Sequence, residues 1–271
     1  MMRKTLFYSV LLLVVGYCCG PYLWQLITSL KPDGELTALP PVFPERVTFS
    51  HYVSIFRESR FFRIILNSAA VASVTTVLSI VIGSLAAFGL AKLNLRRKGV
   101  ILGFVLSVSM FPPIATVCPL YLVIRALGLR DTWWGLVLTY TTFSLPLSIW
   151  TLTGFFARIP DEIYLAARVD GCSPFQALCR IMLPVAAPGV FTAAILVFIF
   201  AWNEFLFALT LTSTTASRTV PVAIALFPGL HEIPWGDIAA ASVVVTVPLL
   251  ALVFLFQRRI VEGLTAGAVK G

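Results

Sequence analysis

Apolar residues in this chain come in long unbroken blocks, and the charged residues are gathered between them. Six intervals contain no Asp, Glu, Lys or Arg: residues 5–30, 64–91, 99–124, 132–157, 181–203 and 238–257. A helix needs about 20 apolar residues to cross the ~30 Å hydrocarbon layer of a bilayer, so each block predicts a membrane span. The spans are placed at 5–30, 64–91, 99–124, 132–157, 186–211 and 238–257, the fifth continuing past Glu204. The expected fold is all-α and polytopic, with six transmembrane helices in a single domain covering residues 1–271. The first block follows Met1-Met2-Arg3-Lys4. It exceeds the ~7–15-residue apolar core of a signal peptide, so it is read as an uncleaved span.

The blocks differ in texture. Residues 64–91 are rich in Ser, Thr, Ala and Gly, and small residues let membrane helices approach closely, which predicts an interior helix. The bulkier Leu, Ile and Phe of the first block suit a lipid-facing position. The third block contains Pro112-Pro113 and Pro119. Prolines there must bend or break the span, and a break persists in a membrane only where protein or a water-filled cavity satisfies the freed backbone groups. Pro112 and Pro113 are therefore candidate pathway residues, with a plain proline kink as the competing reading. Asn203 and Glu204 are the other candidates, because Glu204 stands among apolar neighbours and a carboxylate inside a span must face a polar interior. A structural hydrogen bond between Glu204 and Asn203 is the alternative. Between the first two spans, Ser50 is placed to cap a short helix through HYVSIFRES, a segment that would lie on the membrane surface or against a partner.

The most ordered interruption is 159–184, IPDEIYLAARVDGCSPFQALCRIMLP. Pro160 suits a first helical position, and Asp161 and Glu162 put negative charge where the helix dipole favours it. The helix runs to about Arg168, and residues 169–172 turn the chain. Ser173, Pro174 and Gln176 then form a capping-box pattern for a second helix, which Leu183-Pro184 should stop.

Composition agrees with the pattern: 59% of the 271 residues are hydrophobic and 12% are charged, with a mean hydropathy of +0.94. The charge adds orientation. Arg3, Lys4, Lys92, Arg96, Arg97, Lys98, Arg158, Arg168, Arg180, Arg258, Arg259 and Lys270 fall on one side of the predicted spans, against eight Lys or Arg residues on the other. The positive-inside rule then makes the 158–184 loop, the 258–271 tail and both termini cytoplasmic, and residues 31–63 and 212–237 external. The net charge of +8 reads as an orientation signal and a contact with anionic membrane lipid, not as nucleic-acid binding. No Gly-Lys dipeptide is present, so the chain has no phosphate-binding loop of the Walker type. Its two histidines, His51 and His231, stand far apart, and its five cysteines show neither zinc nor disulfide spacing. No catalytic residues and no metal site are expected.

With these residues in hand, the chain resembles the membrane-spanning permease subunits of bacterial ABC importers, of the carbohydrate-uptake, maltose-transporter type. The resemblance rests on Ala166, Ala167, Asp170-Gly171, Ile181, Leu183 and Pro184 in the cytoplasmic loop, on Trp202-Asn203-Glu204-Phe205, and on a C-terminal GLTAGAVKG. The last resembles the smaller of two paired permeases. Leu165 stands where the family has Glu, and Glu162, one turn earlier, is the candidate substitute. The resemblance implies the type I importer permease fold. It makes Ala166, Ala167, Asp170, Gly171, Ser173, Pro174, Phe175, Ile181, Leu183 and Pro184 the surface that couples to a separate ATPase. It implies a sister permease, two ATPase subunits carrying ATP and Mg, a periplasmic substrate-binding protein and a sugar substrate, in the bacterial inner membrane. A permease for another small solute is the nearer alternative. A stand-alone secondary transporter is the more distant one, since the blocks offer no paired ionisable residues for ion coupling.

Overall fold

The computed structural model describes residues 2–36, 42–58, 61–227 and 233–265. Pro228, His231 and Glu232 of the 212–237 loop and residues 266–271 of the tail lie outside them. The described residues are helical with no strand. The helices are α1 (Met2–Ser29), α2 (Asp33–Leu36), α3 (Ser50–Glu58), α4 (Phe61–Lys92), α5 (Lys98–Val108), α6 (Pro113–Ala126), α7 (Trp133–Arg158), α8 (Asp161–Val169), α9 (Pro174–Ala177), α10 (Leu183–Val185), α11 (Ala187–Asn203), α12 (Leu206–Leu211), α13 (Val220–Ala225) and α14 (Trp235–Thr265), with a π-turn at Leu178–Met182 between α9 and α10. Four helices, α1, α4, α7 and α14, are long and apolar enough to cross a bilayer, and two bent pairs bring the number to as many as six.

The chain divides into two compact units, residues 1–65 with 223–250 and residues 66–222 with 251–271. In the first, none of the apolar stretch of α1 is buried, and Leu12, Leu13 and Tyr17 stand exposed along it. Helix α3 is an amphipathic element whose Ile55 and His51 are buried. The capping of α3 differs from the reading by one turn position. Ser50 is its first helical residue, and the Thr48 hydroxyl oxygen accepts the Ser50 N–H at 3.2 Å. Thr48 is the better acceptor because it stands outside the helix, where its side chain can fold back over the open N-terminus.

In the second unit, the seam between α4 and α7 is built from small residues. Ser79 and Ser144 share a buried 2.7 Å hydrogen bond. A Cβ added to Gly83 would stand 2.9 Å from the Ser148 Cβ. Between α7 and α11, a Cβ on Gly189 would run into the Phe155 ring, and Ala193 and Val197 are fully buried. The texture of 64–91 thus becomes close helix packing, as hydrogen-bonded or dispersion contacts at short range hold helices together in lipid.

Prolines act as expected at one break and not at another. Helices α5 and α6 meet at 88° across residues 109–112, with Pro113 at the first position of α6. Pro184, by contrast, does not stop its helix. The Leu178–Met182 turn widens to π geometry and the chain stays helical to Val185 before turning through 84° at Ala186 into α11. A π-turn changes the hydrogen-bond register ahead of the proline, which lacks an N–H and would otherwise crowd the carbonyl four residues back. Helices α11 and α12 fill the block read as one span at 186–211, but Glu204-Phe205 interrupts them.

Candidate coupling unit and pathway residues

The segment from Ile159 to Ala186 is built on a core. Ile159, Leu178, Met182 and Ala186 pack with Ala87 and Phe88 of α4, with Leu152 and Phe156 of α7 and with Ala193 of α11. Phe88 meets both Phe156 and Tyr164 edge-on, at 6.3 and 5.6 Å between ring centres. Such aromatic pairs add directional packing to area burial. Lys92, at the end of α4, donates to the Ile159 carbonyl and to the Asp161 carboxylate. Its ammonium holds the Asp161 carboxyl below the usual carboxylate range through that hydrogen bond and its charge. The last residue of one membrane helix thus clamps the entry of α8.

The turn between α8 and α9 is closed on both sides. Gly171 has φ +84°. The Cys172 N–H donates to the Ala167 carbonyl at 3.0 Å and the Gly171 N–H to Arg168 at 3.2 Å. This pair of bonds is a Schellman cap, which favours glycine at the left-handed position. Arg168 Nη1 donates to the Cys172 carbonyl at 2.6 Å and fastens the turn from outside. On the far side the capping box is complete. Ser173 N–H donates to Gln176 Oε1 at 2.8 Å, and Gln176 N–H donates to Ser173 Oγ at 3.2 Å.

The residues singled out by sequence divide between two faces. Ala167 is buried and Ile181 and Leu183 are half-buried, which fixes the unit to its core; Ala166, Asp170, Gly171, Ser173, Pro174, Phe175 and Pro184 are exposed. Three large apolar side chains stand out on the free side: Leu165 at 57%, Val169 at 87% and Phe175 at 63% exposure. Val169 was not among the candidates; its place at the last turn of α8 beside Leu165, i and i+4, was the available signal. Glu162 is exposed one turn before Leu165. The arrangement is a well-tied bracket that leaves Leu165, Val169 and Phe175 exposed.

The pathway candidates lie at two separate breaks, 112–113 between α5 and α6 and 203–204 between α11 and α12. Pro112 and Pro113 are exposed at the α5–α6 bend. Asn203 and Glu204 end α11, but they do not bond each other as the sequence reading allowed. Asn203 Nδ2 donates back to the Ile199 carbonyl at 2.8 Å. Glu204 accepts the Phe207 and Ala208 N–H groups at 2.9 and 3.1 Å, capping α12. Helix N-termini leave N–H groups that want acceptors, and a carboxylate that satisfies two of them is a structural group. The buried Tyr140 hydroxyl makes no hydrogen bond among the described residues.

Sequence reasoning missed a hub outside the spans. Asp131, in the left-handed region at φ 57°, accepts from the Ser213 and Thr214 N–H groups at 2.7 and 3.0 Å and from the Thr214 and Ser217 hydroxyls at 2.8 and 2.5 Å. Burial opposes its charge, but these four bonds outweigh it and bring the pKa from 3.8 down to about 2. Asn67 Nδ2 donates to the Thr215 and Arg218 carbonyls, and Ser68 Oγ accepts the Val220 N–H. The 212–220 segment is therefore tied to α4 and to the α6–α7 turn. Asp131 gave no sequence signal because its partners are 82 to 86 residues away.

Long apolar helices and two sharply bent pairs define a multi-pass membrane protein. The chain belongs to the family of binding-protein-dependent transport system inner membrane components, which matches residues 79–265. It is 48% identical to the trehalose transport system permease protein SugB of Mycobacterium tuberculosis, over 99% of both chains. It is 44% identical to the sulfoquinovosyl glycerol transport system permease protein SmoH of Agrobacterium fabrum, covering 93% of this chain and 88% of that one. Against the trehalose/maltose transport system permease protein MalG of Thermococcus litoralis the identity is 40% over the whole of both chains. Among solved structures, a chain of a bacterial ABC transporter that imports the acidic polysaccharide alginate superposes with a TM-score of 0.81 at 19% identity, covering 95% of this chain and 96% of that one. The fold is thus that of ABC importer permeases.

Proposed function

We propose that this chain is the translocation subunit of an ATP-driven sugar importer in the bacterial inner membrane. A periplasmic binding protein delivers the sugar, a sister permease completes the pathway, and two ATPase subunits supply the work with ATP and Mg. The relatives named for trehalose, maltose and sulfoquinovosyl glycerol support a glycoside as the substrate class. The orientation that puts the bracket and both termini in the cytoplasm rests on the Lys and Arg distribution.

The observation that carries the reading is the bracket from Ile159 to Ala186. It is capped at both sides of its turn, clamped to α4 through Lys92, and packed on α4, α7 and α11. A rigid element seated in an ATPase cleft passes a rigid-body movement to the helices it joins. Closure of the ATPase pair on ATP then biases the permeases from inward-facing to outward-facing by differential affinity for the two states.

Gly171 provides the test. Nothing lies within 4 Å of a Cβ added there, so a substitution acts through backbone conformation alone. Gly171→Val forces a β-branched residue into the left-handed region at a cost of about 1–2 kcal/mol, whereas Gly171→Asn is tolerated. The valine variant should lose radiolabelled sugar uptake and ATPase stimulation, and the asparagine variant should keep both. Unchanged uptake and ATPase co-purification in the valine variant would refute the coupling role.

A further inference from the structure

Helix α3 has two faces, and its own unit uses one. On that face the Tyr52 hydroxyl and Ser29 Oγ, at the end of α1, share a 2.7 Å hydrogen bond, and the Thr48 N–H just before α3 donates to the Leu30 carbonyl at 2.9 Å. The buried His51 ring stands between the Lys31 carbonyl, 2.9 Å from Nε2, and Asp237 Oδ1, 2.7 Å from Nδ1. Ser54 Oγ donates to the second Asp237 oxygen at 3.2 Å. A Cβ on Gly236 would strike the His51 ring, so α14 can begin this close to α3 only with glycine there. Ser29 closes α1, Asp237 lies in the first turn of α14, and α4 starts at Phe61, three residues after Glu58. Helix α3 is therefore held at the level where three membrane helices end.

The opposite face is apolar and largely exposed, apart from an edge-on contact of Phe56 with Phe61 at 6.4 Å. Phe49, Val53 and Phe56 recur at i, i+4 and i+7 with 64%, 57% and 46% of their surface exposed. With Tyr52 and Arg57 they line a shallow groove of about 540 Å³. Trp24, Phe62 and Trp235 are exposed at the ends of the same three membrane helices, and aromatic side chains collect at the headgroup level of a bilayer.

We propose that α3 is an interfacial helix. The Phe49–Val53–Phe56 ridge enters the boundary between lipid headgroups and acyl chains, and the Arg57 guanidinium meets lipid phosphate. A lipid surface fits better than a protein partner for two reasons. The aromatic side chains at the neighbouring helix ends mark that level as headgroup region, and among the described residues the ridge offers no polar group besides Arg57 and the Tyr52 hydroxyl, which Ser29 already engages. An amphipathic helix of this kind binds through buried apolar area plus attraction between its cations and anionic headgroups. Such an anchor would fix the level of α3 relative to the bilayer and, through Asp237, the start of α14.

The test is nitroxide accessibility. Cys18, Cys19, Cys118, Cys172 and Cys179 are replaced, Val53→Cys or Phe49→Cys is introduced and spin-labelled, and the transporter with its partner subunits is placed in nanodiscs containing anionic phospholipid. Both positions are exposed, so the label is tolerated. Collisions with oxygen, which partitions into lipid, should exceed those with a water-soluble nickel chelate by several-fold at both sites. An excess of nickel collisions would mean that the ridge faces water and would overturn the proposal. A label reached by neither reagent would overturn it in favour of a protein seated on the ridge.

Discussion

Replacing Asp131 by Asn should loosen the 212–220 segment without unfolding the permease. The carboxylate accepts four hydrogen bonds, two of them from the N–H groups of Ser213 and Thr214. An amide has one oxygen to offer and would turn N–H donors toward the remaining hydroxyl and amide donors. The drop in pKa from 3.8 to about 2 corresponds to roughly 2.4 kcal/mol at ~1.4 kcal/mol per unit, and solvent screening of a partly exposed carboxylate reduces it to about 1–2 kcal/mol. Because the folded pKa is depressed, this contribution is complete above about pH 4 and is lost as the pH falls from 3.8 toward 2. Local opening of the segment at pH 7 should then become about five- to thirty-fold more frequent in the variant. Hydrogen exchange followed by mass spectrometry on peptides covering 206–219 reads this directly, with the α4–α7 seam as the internal reference. Unchanged exchange at Ser213 and Thr214 would show that Asn67 and Ser68 hold the segment alone and that the charge at Asp131 contributes nothing.

Three further outcomes are expected. Gly83→Leu should overpack the α4–α7 seam, where a Cβ already meets Ser148 Cβ at 2.9 Å, and destabilise the protein by about 1–3 kcal/mol; Gly154→Ala, with nothing within 4 Å, should leave the melting temperature of the solubilised protein unchanged or raised. Glu204→Ala removes the acceptor for two N–H groups of α12 and should cost about 1 kcal/mol, seen as faster exchange at Phe207 and Ala208, while Glu204→Gln keeps part of the cap. Under the proposed coupling role, the exposed ridge of Leu165, Val169 and Phe175 should hold the ATPase subunit through 1 M salt, where charges are screened within about 3 Å. Release of the ATPase from the wild-type chain by salt in a pull-down would show that the contact is ionic instead.

Much of this architecture is legible in the sequence because membrane helices are read from uninterrupted apolar length, and charge-free intervals fall on α1, α4, α7 and α14, although α14 runs to Thr265, eight residues past the interval that ends at Gln257. The capping box of Ser173 and Gln176 and the glycine turn at Gly171 were equally legible, since both are local. What was not legible depends on distance along the chain or on a competition between local rules. Asp131 looked like a loop residue until residues 213–217 were folded against it. Glu204 offered only a hydrogen bond to Asn203 as its structural role, because nothing in the apolar run announced that the helix would break there and need a cap. Pro184 carried a stop signal that the π-turn at Leu178–Met182 defeated. His51 read as a loop histidine, and only the approach of Asp237, 186 residues away, made it a buried tie.

The placement of these irregularities bears on how the second unit could transmit movement. Its bracket contains no loose joint: the Schellman turn, the capping box and the π-turn each satisfy the backbone where the chain changes direction. Other sharp changes of direction lie outside it, at residues 109–112 and at Glu204-Phe205. A force applied to Leu165, Val169 and Phe175 would therefore move α8 and α9 as one body. Under the proposed coupling role it would reach α7 through Ile159, α4 through Lys92, and α11 through the 84° turn at Ala186, whose side chain is buried in the same core. Under the same proposal, the contact of α7 with α11, where Gly189 lies against Phe155, is where such a displacement would be felt.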